Sequence, residues 1–198
     1  MPNWVYNTLT IQGPKSEIDS IKERLNSPFT LAQETFGMGD ISSMGFPTKI
    51  TQVEYNNPVF AFHNIHSYKD DGITDEEYAC QPKRSGADMS QPDWFAKEVE
   101  FAKTQKDWYS WNNSNWGTKW DVSETYEDEE GYICFDTAWS TPHEIICELS
   151  IRYPELIFEV TFADEDLGHN CGFYQFKDGD EIHFTSYGLE EACQIWDY

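Results

Sequence analysis

Polar and apolar residues alternate along WVYNTLTI, residues 4–11, and the stretch is rich in β-formers, so it predicts a first strand. Gly13-Pro14 breaks the strand. Ser16 is then placed to cap a helix with Ile18, Ile21 and Leu25 on one face. Residues 29–36 can hold a strand, and residues 37–47 read as a loop with three glycines and a proline. From Thr51 to Gln91 periodicity fades, which predicts an irregular insertion at about 27–92. Pro92 and Asp93 open a helix with Phe95, Val99 and Ala102 on a common face.

The pattern sharpens in the C-terminal half. Residues 118–126 predict a strand, EDEEG a charged turn, and residues 132–139 a second strand with Ile133, Phe135, Thr137 and Trp139 on one side. Ser140-Thr141-Pro142 starts a helix, with proline where its missing N–H is tolerated. Ile145, Ile146, Leu149 and Tyr153 give that helix an apolar face, and Pro154 stops it. Leu156, Phe158, Val160 and Phe162 line one side of a strand over residues 156–163. Residues 172–176 and 182–187 pair across Lys177-Asp178-Gly179-Asp180, where Asp-Gly favours a two-residue turn, and LEEACQIWDY adds a helical turn. The order of elements is that of an α+β, ferredoxin-like split βαβ fold. It predicts one domain over residues 1–198, an antiparallel sheet with its helices on one face, the irregular insertion, and a C-terminal hairpin.

Three stretches carry a family resemblance: MPNW-x-x-N-x-L-T-I-x-G at the start, W-x-x-x-x-W-G-T-K-W-D over residues 111–121, and F-x-T-A-W-S-x-P over residues 135–142. Together they resemble the YubB-type family of ferredoxin-like domains found in bacteriophages, plasmids and genomic islands. The resemblance touches both ends of the chain and spares roughly residues 50–92. It implies the fold and a mobile-element context, and no activity, catalytic residue or cofactor. The chain departs from the family after its last core strand, with Ala163-Asp164-Glu165-Asp166 and a longer His169-Asn170-Cys171-Gly172 lead-in.

Charge adds a direction to function. The net charge is −23, and residues 111–198 contribute −17 of it through 20 acids against 3 bases. Such a surface repels nucleic acid and anionic membranes and attracts basic proteins; a solubilising coat is the plain alternative. The candidate protein-binding acids are Glu124, Glu127, Asp128, Glu129, Glu130, Asp164, Glu165, Asp166, Asp178 and Asp180. Residues 127–130 also read simply as a solvated turn.

No nucleophile elbow, P-loop, dinucleotide fingerprint or HExxH motif is present, so no catalytic residue is assigned and no enzyme activity is expected. His63, His66 and Cys80, and His169, Cys171, Asp164 and Asp166, lack zinc-module spacing, so no metal and no cofactor is expected. Five scattered cysteines without a CxxC pair read as free and mostly buried in a reducing compartment. No apolar run is long enough for a bilayer and no leader is legible, so the expected location is the cytoplasm.

The segment WYSWNNSNWGTKWD, residues 108–121, holds four of the eight tryptophans. It has three readings. Trp116, Trp120 and Trp139 pack the sheet, with Gly117 allowing a bend. Alternatively Trp108 and Trp111 are exposed and, with Asn113, Asn115 and Lys119, bind a small ligand such as a nucleotide. In the third, the rings are interface anchors. The favoured function is a non-enzymatic mobile-element protein that binds a host or rival protein. Its acids would mimic nucleic acid and inhibit a basic defence protein of restriction or CRISPR type. Direct nucleic-acid and membrane partners are not expected.

Overall fold

The computed structural model describes residues 2–36, 48–56, 58–79, 92–93, 95–96, 99–100 and 103–196. The chain divides into two compact units. One comprises Met1–Ser27, Asn57–His66 and Asn112–Tyr198; the other comprises Pro28–Asn56 and Ser67–Trp111.

The first unit is the ferredoxin-like α+β fold. Its elements are β1 (Trp4–Gln12), α1 (Lys15–Leu25), β4 (Ser123–Glu127), β5 (Ile133–Ala138), α4 (His143–Arg152), β6 (Ile157–Asp164), β7 (Cys171–Lys177), β8 (Asp180–Ser186) and α5 (Leu189–Ile195). The second unit contributes β2 (Phe29–Phe36), β3 (Thr48–Tyr55) and α2 (Asp75–Ala79), and α3 (Trp108–Asn115) starts in it. The sheet runs β4-β5-β1-β6-β7-β8, and every pair in it is antiparallel.

Alternation decides which side each strand buries. Val5, Asn7 and Leu9 of β1 point inward with Ile133, Phe135 and Thr137 of β5 and Phe158, Val160 and Phe162 of β6, and all are buried. Ile21 and Leu25 of α1, and Ile145, Ile146 and Leu149 of α4, are buried as their spacing predicts. The Asp178-Gly179 turn has φ of 50° and 82°, the left-handed pair that a two-residue hairpin requires.

Several local expectations differ. Ser16 does not cap α1: Pro14 is the N-cap residue, and its carbonyl accepts from Glu17 N and Ile18 N. The strand expected over residues 118–126 is Ser123–Glu127 only. Asp121 holds the preceding stretch off the ladder, because its carboxylate accepts from the backbone N–H groups of Phe62 (2.7 Å), His63 (3.1 Å) and Val122 (2.8 Å). Trp139 leaves the alternation at φ 73° and is exposed.

The second unit is more regular than its composition predicts. The expected strand over residues 29–36 pairs with β3 from Phe29↔Tyr55 to Phe36↔Thr48. Thr74 and Glu77 form a capping box at α2: Thr74 N donates to Glu77 Oε2 (3.0 Å) and Glu77 N to Thr74 Oγ1 (3.2 Å). The core of this unit is aromatic, with Tyr68 stacked on Tyr78 at 3.9 Å and Trp111 set edge-on to both. Of the helix expected after Pro92, residues 95–96 and 99–100 are helical, with Phe95 and Val99 exposed. Ala102, Cys80 and the loop of residues 37–47 lie outside the described residues.

Candidate functional site

Residues of the three sequence motifs are built into the fold. Asn7 is buried; its side-chain amide donates to Val5 O (2.8 Å) and Thr137 Oγ1 (2.9 Å), and its Oδ1 accepts from Thr141 Oγ1 (2.9 Å). Ser140 Oγ donates to Gly117 O, and Trp116 Nε1 to His66 O at 2.9 Å. The motif residues Asn7, Trp116, Gly117, Asp121, Thr137 and Ser140 are therefore spent on architecture.

The tryptophan segment divides. Trp111 is buried, 3% exposed, and its Nε1 donates to Asp71 Oδ2 at 2.8 Å. The reading of Trp111 as an exposed ring is corrected: its edge-on contacts with Tyr68 and Tyr78 place it in a core. Trp108 is half-buried against Tyr109, Asn113 is exposed and Asn115 half-buried. The packing reading holds for Trp116 and fails for Trp120 and Trp139, which are 36% and 53% exposed. Lys119 Nζ sits 4.3 Å above the Trp120 ring, a cation–π contact.

Those rings direct attention to the other side of the sheet. Trp4, Tyr6 and Thr8 of β1 point away from the core, opposite Ala138, Asp136 and Cys134 of β5. Trp4 meets Trp120 at 6.2 Å and Tyr6 meets Trp196 at 5.8 Å. The hydroxyls of Tyr6 and Tyr126 lie 3.0 Å apart, and Tyr126 is exposed. Asp136 sits among these rings. Burial pushes its carboxyl up to about 6, and the charges of Glu124 and Glu165 push the same way. Glu165 Oε1 also accepts from Trp4 N at 3.2 Å. This face thus joins the half-buried rings of Trp4 and Tyr6 and the exposed rings of Trp120 and Tyr126 to Asp136, whose ionised form is opposed by Glu124 and Glu165. Chemically it suits a guanidinium or ammonium group, which would answer the carboxylates and lie over the rings.

The ten candidate acids do not converge on one place. Glu127 to Glu130 occupy the β4–β5 turn, where Glu127 pairs with Lys22 at 2.9 Å and Asp128 Oδ1 accepts from Glu130 N and Tyr132 N. Asp178 and Asp180 lie at the β7–β8 turn, at the same end of the sheet but four strand spacings away, about 19 Å. Asp164, Glu165 and Asp166 lie at the opposite end, since Asp164 pairs with Val5. Asp164 is buried and accepts from Asn3, Asn170 and Asp166 N, so it serves the fold. Glu124 and Glu165 alone of the ten flank Asp136 closely enough to shift its proton affinity.

Asp136, Tyr6, Trp4 and Tyr126 were not singled out from the sequence. A usable signal was present: Asp136 falls on the opposite side of its strand from Ile133, Phe135 and Thr137, so that a carboxylate stands on the non-core side. Among the described residues no three His, Cys, Asp or Glu side chains form a group able to hold a metal ion. Cys171 is buried with its Sγ directed to Tyr187 O (3.2 Å), and His169 is exposed. Of the four described cysteines, Cys134 and Cys171 are buried, Cys147 and Cys193 half-buried, and all are free. No helix among the described residues is long and apolar enough to cross a membrane.

No match was found among curated proteins. The crystal structure of a protein api92 from Yersinia pseudotuberculosis aligns over 95% of this chain and 99% of its own, at 11% identity and a TM-score of 0.44. Residues 115–198 match the family model described as the ferredoxin-like domain in Api92-like protein, a stretch that holds β4 to β8 and, in Glu124, Tyr126, Asp136 and Glu165, most of the polar side of the aromatic face.

Proposed function

We propose that this chain is a non-enzymatic binding domain that acts by direct contact on a basic protein, through the aromatic and acidic face built from β1, β4 and β5. The observation that carries this reading is the placement of Asp136 between Glu124 and Glu165, beside Tyr6, Tyr126 and the Trp4–Trp120 pair. A cationic partner relieves that repulsion, and exposed Trp and Tyr rings supply the apolar anchors that interfaces use. Lys119 above Trp120 is an internal example of the same contact. In its finer form the proposal is a mobile-element protein that occupies the nucleic-acid-binding surface of a host or rival defence protein. The YubB-type resemblance and the −17 charge of residues 111–198 support that form. The small-ligand reading has lost one of its two ring platforms, because Trp111 is buried.

The test is affinity capture with the full chain and with the triple variant Glu124→Gln, Asp136→Asn, Glu165→Gln. The proposal expects basic, nucleic-acid-binding proteins on the full chain, elution by duplex DNA, and at least about tenfold weaker capture by the variant. Equal capture by the variant, or no effect of DNA, contradicts it.

A further inference from the structure

The six-stranded sheet ends in two edges that are unalike. β4 is five residues long, its register breaks between Ser123 and Tyr126, and Glu124 sits at φ 49°. A short, bulged, charged strand is a poor template for further pairing. β8 has seven residues, Asp180–Ser186, and every one is exposed. Its inner edge is paired with β7 from Lys177↔Asp180 to Gly172↔Ser186. Its outer edge pairs with no described strand. It carries no lysine and no proline, while Ile182 and Phe184 stand 50% and 55% exposed. One irregularity interrupts it: Gln175 and Phe176 face His183 and Glu181, which leaves Ile182 as the extra residue of a bulge. Beyond it, residues 183–186 run regularly.

An open edge with exposed apolar side chains accepts a strand. Charge selects which strand. Residues 177–198 hold six acids and one base. His143 Nε2 engages Glu181 at 2.6 Å, whereas Asp178 and Asp180 are exposed beside the edge, and Glu190 and Glu191 open α5 just after it. A second copy of this chain would bring a molecule of net charge −23 against its like. An extended segment that alternates basic and apolar residues answers the acids and covers Ile182 and Phe184 instead.

We propose that β8 is the docking edge for an extended basic segment of the partner protein, which adds to the sheet as a seventh strand. This inference rests on the basic-partner reading above and adds where the backbone of that partner is held. Main-chain hydrogen bonds along the edge give affinity, and side chains on the two sides of the added strand give preference.

The experiment uses the full chain and two synthetic peptides of about seven residues that alternate Lys and Val. One has an ordinary backbone; in the other alternate backbone nitrogens are methylated, which keeps the charge and removes strand pairing. Amide chemical shifts and hydrogen exchange of Asp180–Ser186 are followed at low salt, with sedimentation of the chain alone. The proposal expects the ordinary peptide to shift these amides and slow their exchange, and the methylated one to bind at least about tenfold more weakly. The variant Ile182→Lys, Phe184→Lys, which leaves the inner ladder intact, is expected to lose the ordinary peptide. Equal binding of both peptides overturns the edge pairing and leaves the basic-partner reading standing. Failure of both peptides to bind overturns the edge pairing and the basic-partner reading together. Protection of β8 through self-association of the chain alone makes the occupant a second copy and overturns the proposal.

Discussion

Asn7 uses both ends of its amide, joining β1 to Thr137 on β5 and to Thr141 just before α4. Asn7 and Thr137 are fully buried, so the hydrogen bonds lost with the Asn7 amide are not replaced by water. Asn7→Ala is expected to lower the unfolding free energy by about 2–3 kcal/mol, read as a fall in the urea midpoint at constant slope. Trp116→Ala, at a site with no exposure and a hydrogen bond to His66 O, is expected to cost about 3–5 kcal/mol. Asp136 works in the other direction. Its carboxyl rises from 3.8 to about 6 on folding, so it contributes most to stability when protonated, below about 3.8. That contribution is lost as pH rises through about 6. Asp136→Asn is therefore expected to stabilise the protein at neutral pH by about 1 kcal/mol, after discounting for solvent screening. The gain should vanish by roughly pH 4, where both forms are neutral. Denaturant melts of the two proteins across this range check the sign; a loss of stability at pH 7 contradicts the placement of Asp136. The same variant is thus a safe component of the binding test, because its effect there would not arise from unfolding.

At the scale of elements, what was legible followed from period and punctuation. The alternation of residues 156–163 and the four-residue recurrence of Ile145, Leu149 and Tyr153 predicted β6 and α4 nearly to the residue, and Asp178-Gly179 predicted the hairpin. The failures have local physical causes. The strand expected from Thr118 starts at Ser123 because Asp121 turns inward to three backbone donors. β3 went unread because residues 48–55 alternate weakly, with polar residues at both odd and even positions. The sequence separated Trp108 and Trp111 from Trp116, Trp120 and Trp139, but the division falls elsewhere: Trp111 and Trp116 are buried and donate to Asp71 and to His66 O, while Trp120 and Trp139 do not sit in the core. The candidate face was the least legible feature, since it is assembled across β1, β4 and β5 by register that no local pattern reveals. One consequence for elements is direct. A Cβ at Gly179 would lie 2.8 Å from Ile151 Cγ1, and the position has φ 82°. Gly179→Ala is expected to cost about 1–2 kcal/mol and to loosen the β7–β8 hairpin, seen as faster amide exchange in β8.

For the whole molecule the governing quantity is a net charge of −23, and the ten candidate acids lie at two ends and one face of the six-stranded sheet rather than in one patch. A diffuse acidic coat attracts any cation weakly and is screened by salt. The aromatic face differs because its rings hold a partner after the charges have steered it there. Partner binding should therefore weaken with salt while retaining a salt-resistant part from Trp120 and Tyr126. The most direct measurement is a titration of the isotopically labelled chain with an arginine-rich peptide, following backbone amides and the eight tryptophan indoles at low and at high salt. Trp4, Tyr6, Tyr126, Asp136 and the Trp120 indole are expected to respond first and to keep responding at high salt. Small shifts spread over every acidic turn, all vanishing together as salt rises, would contradict this expectation.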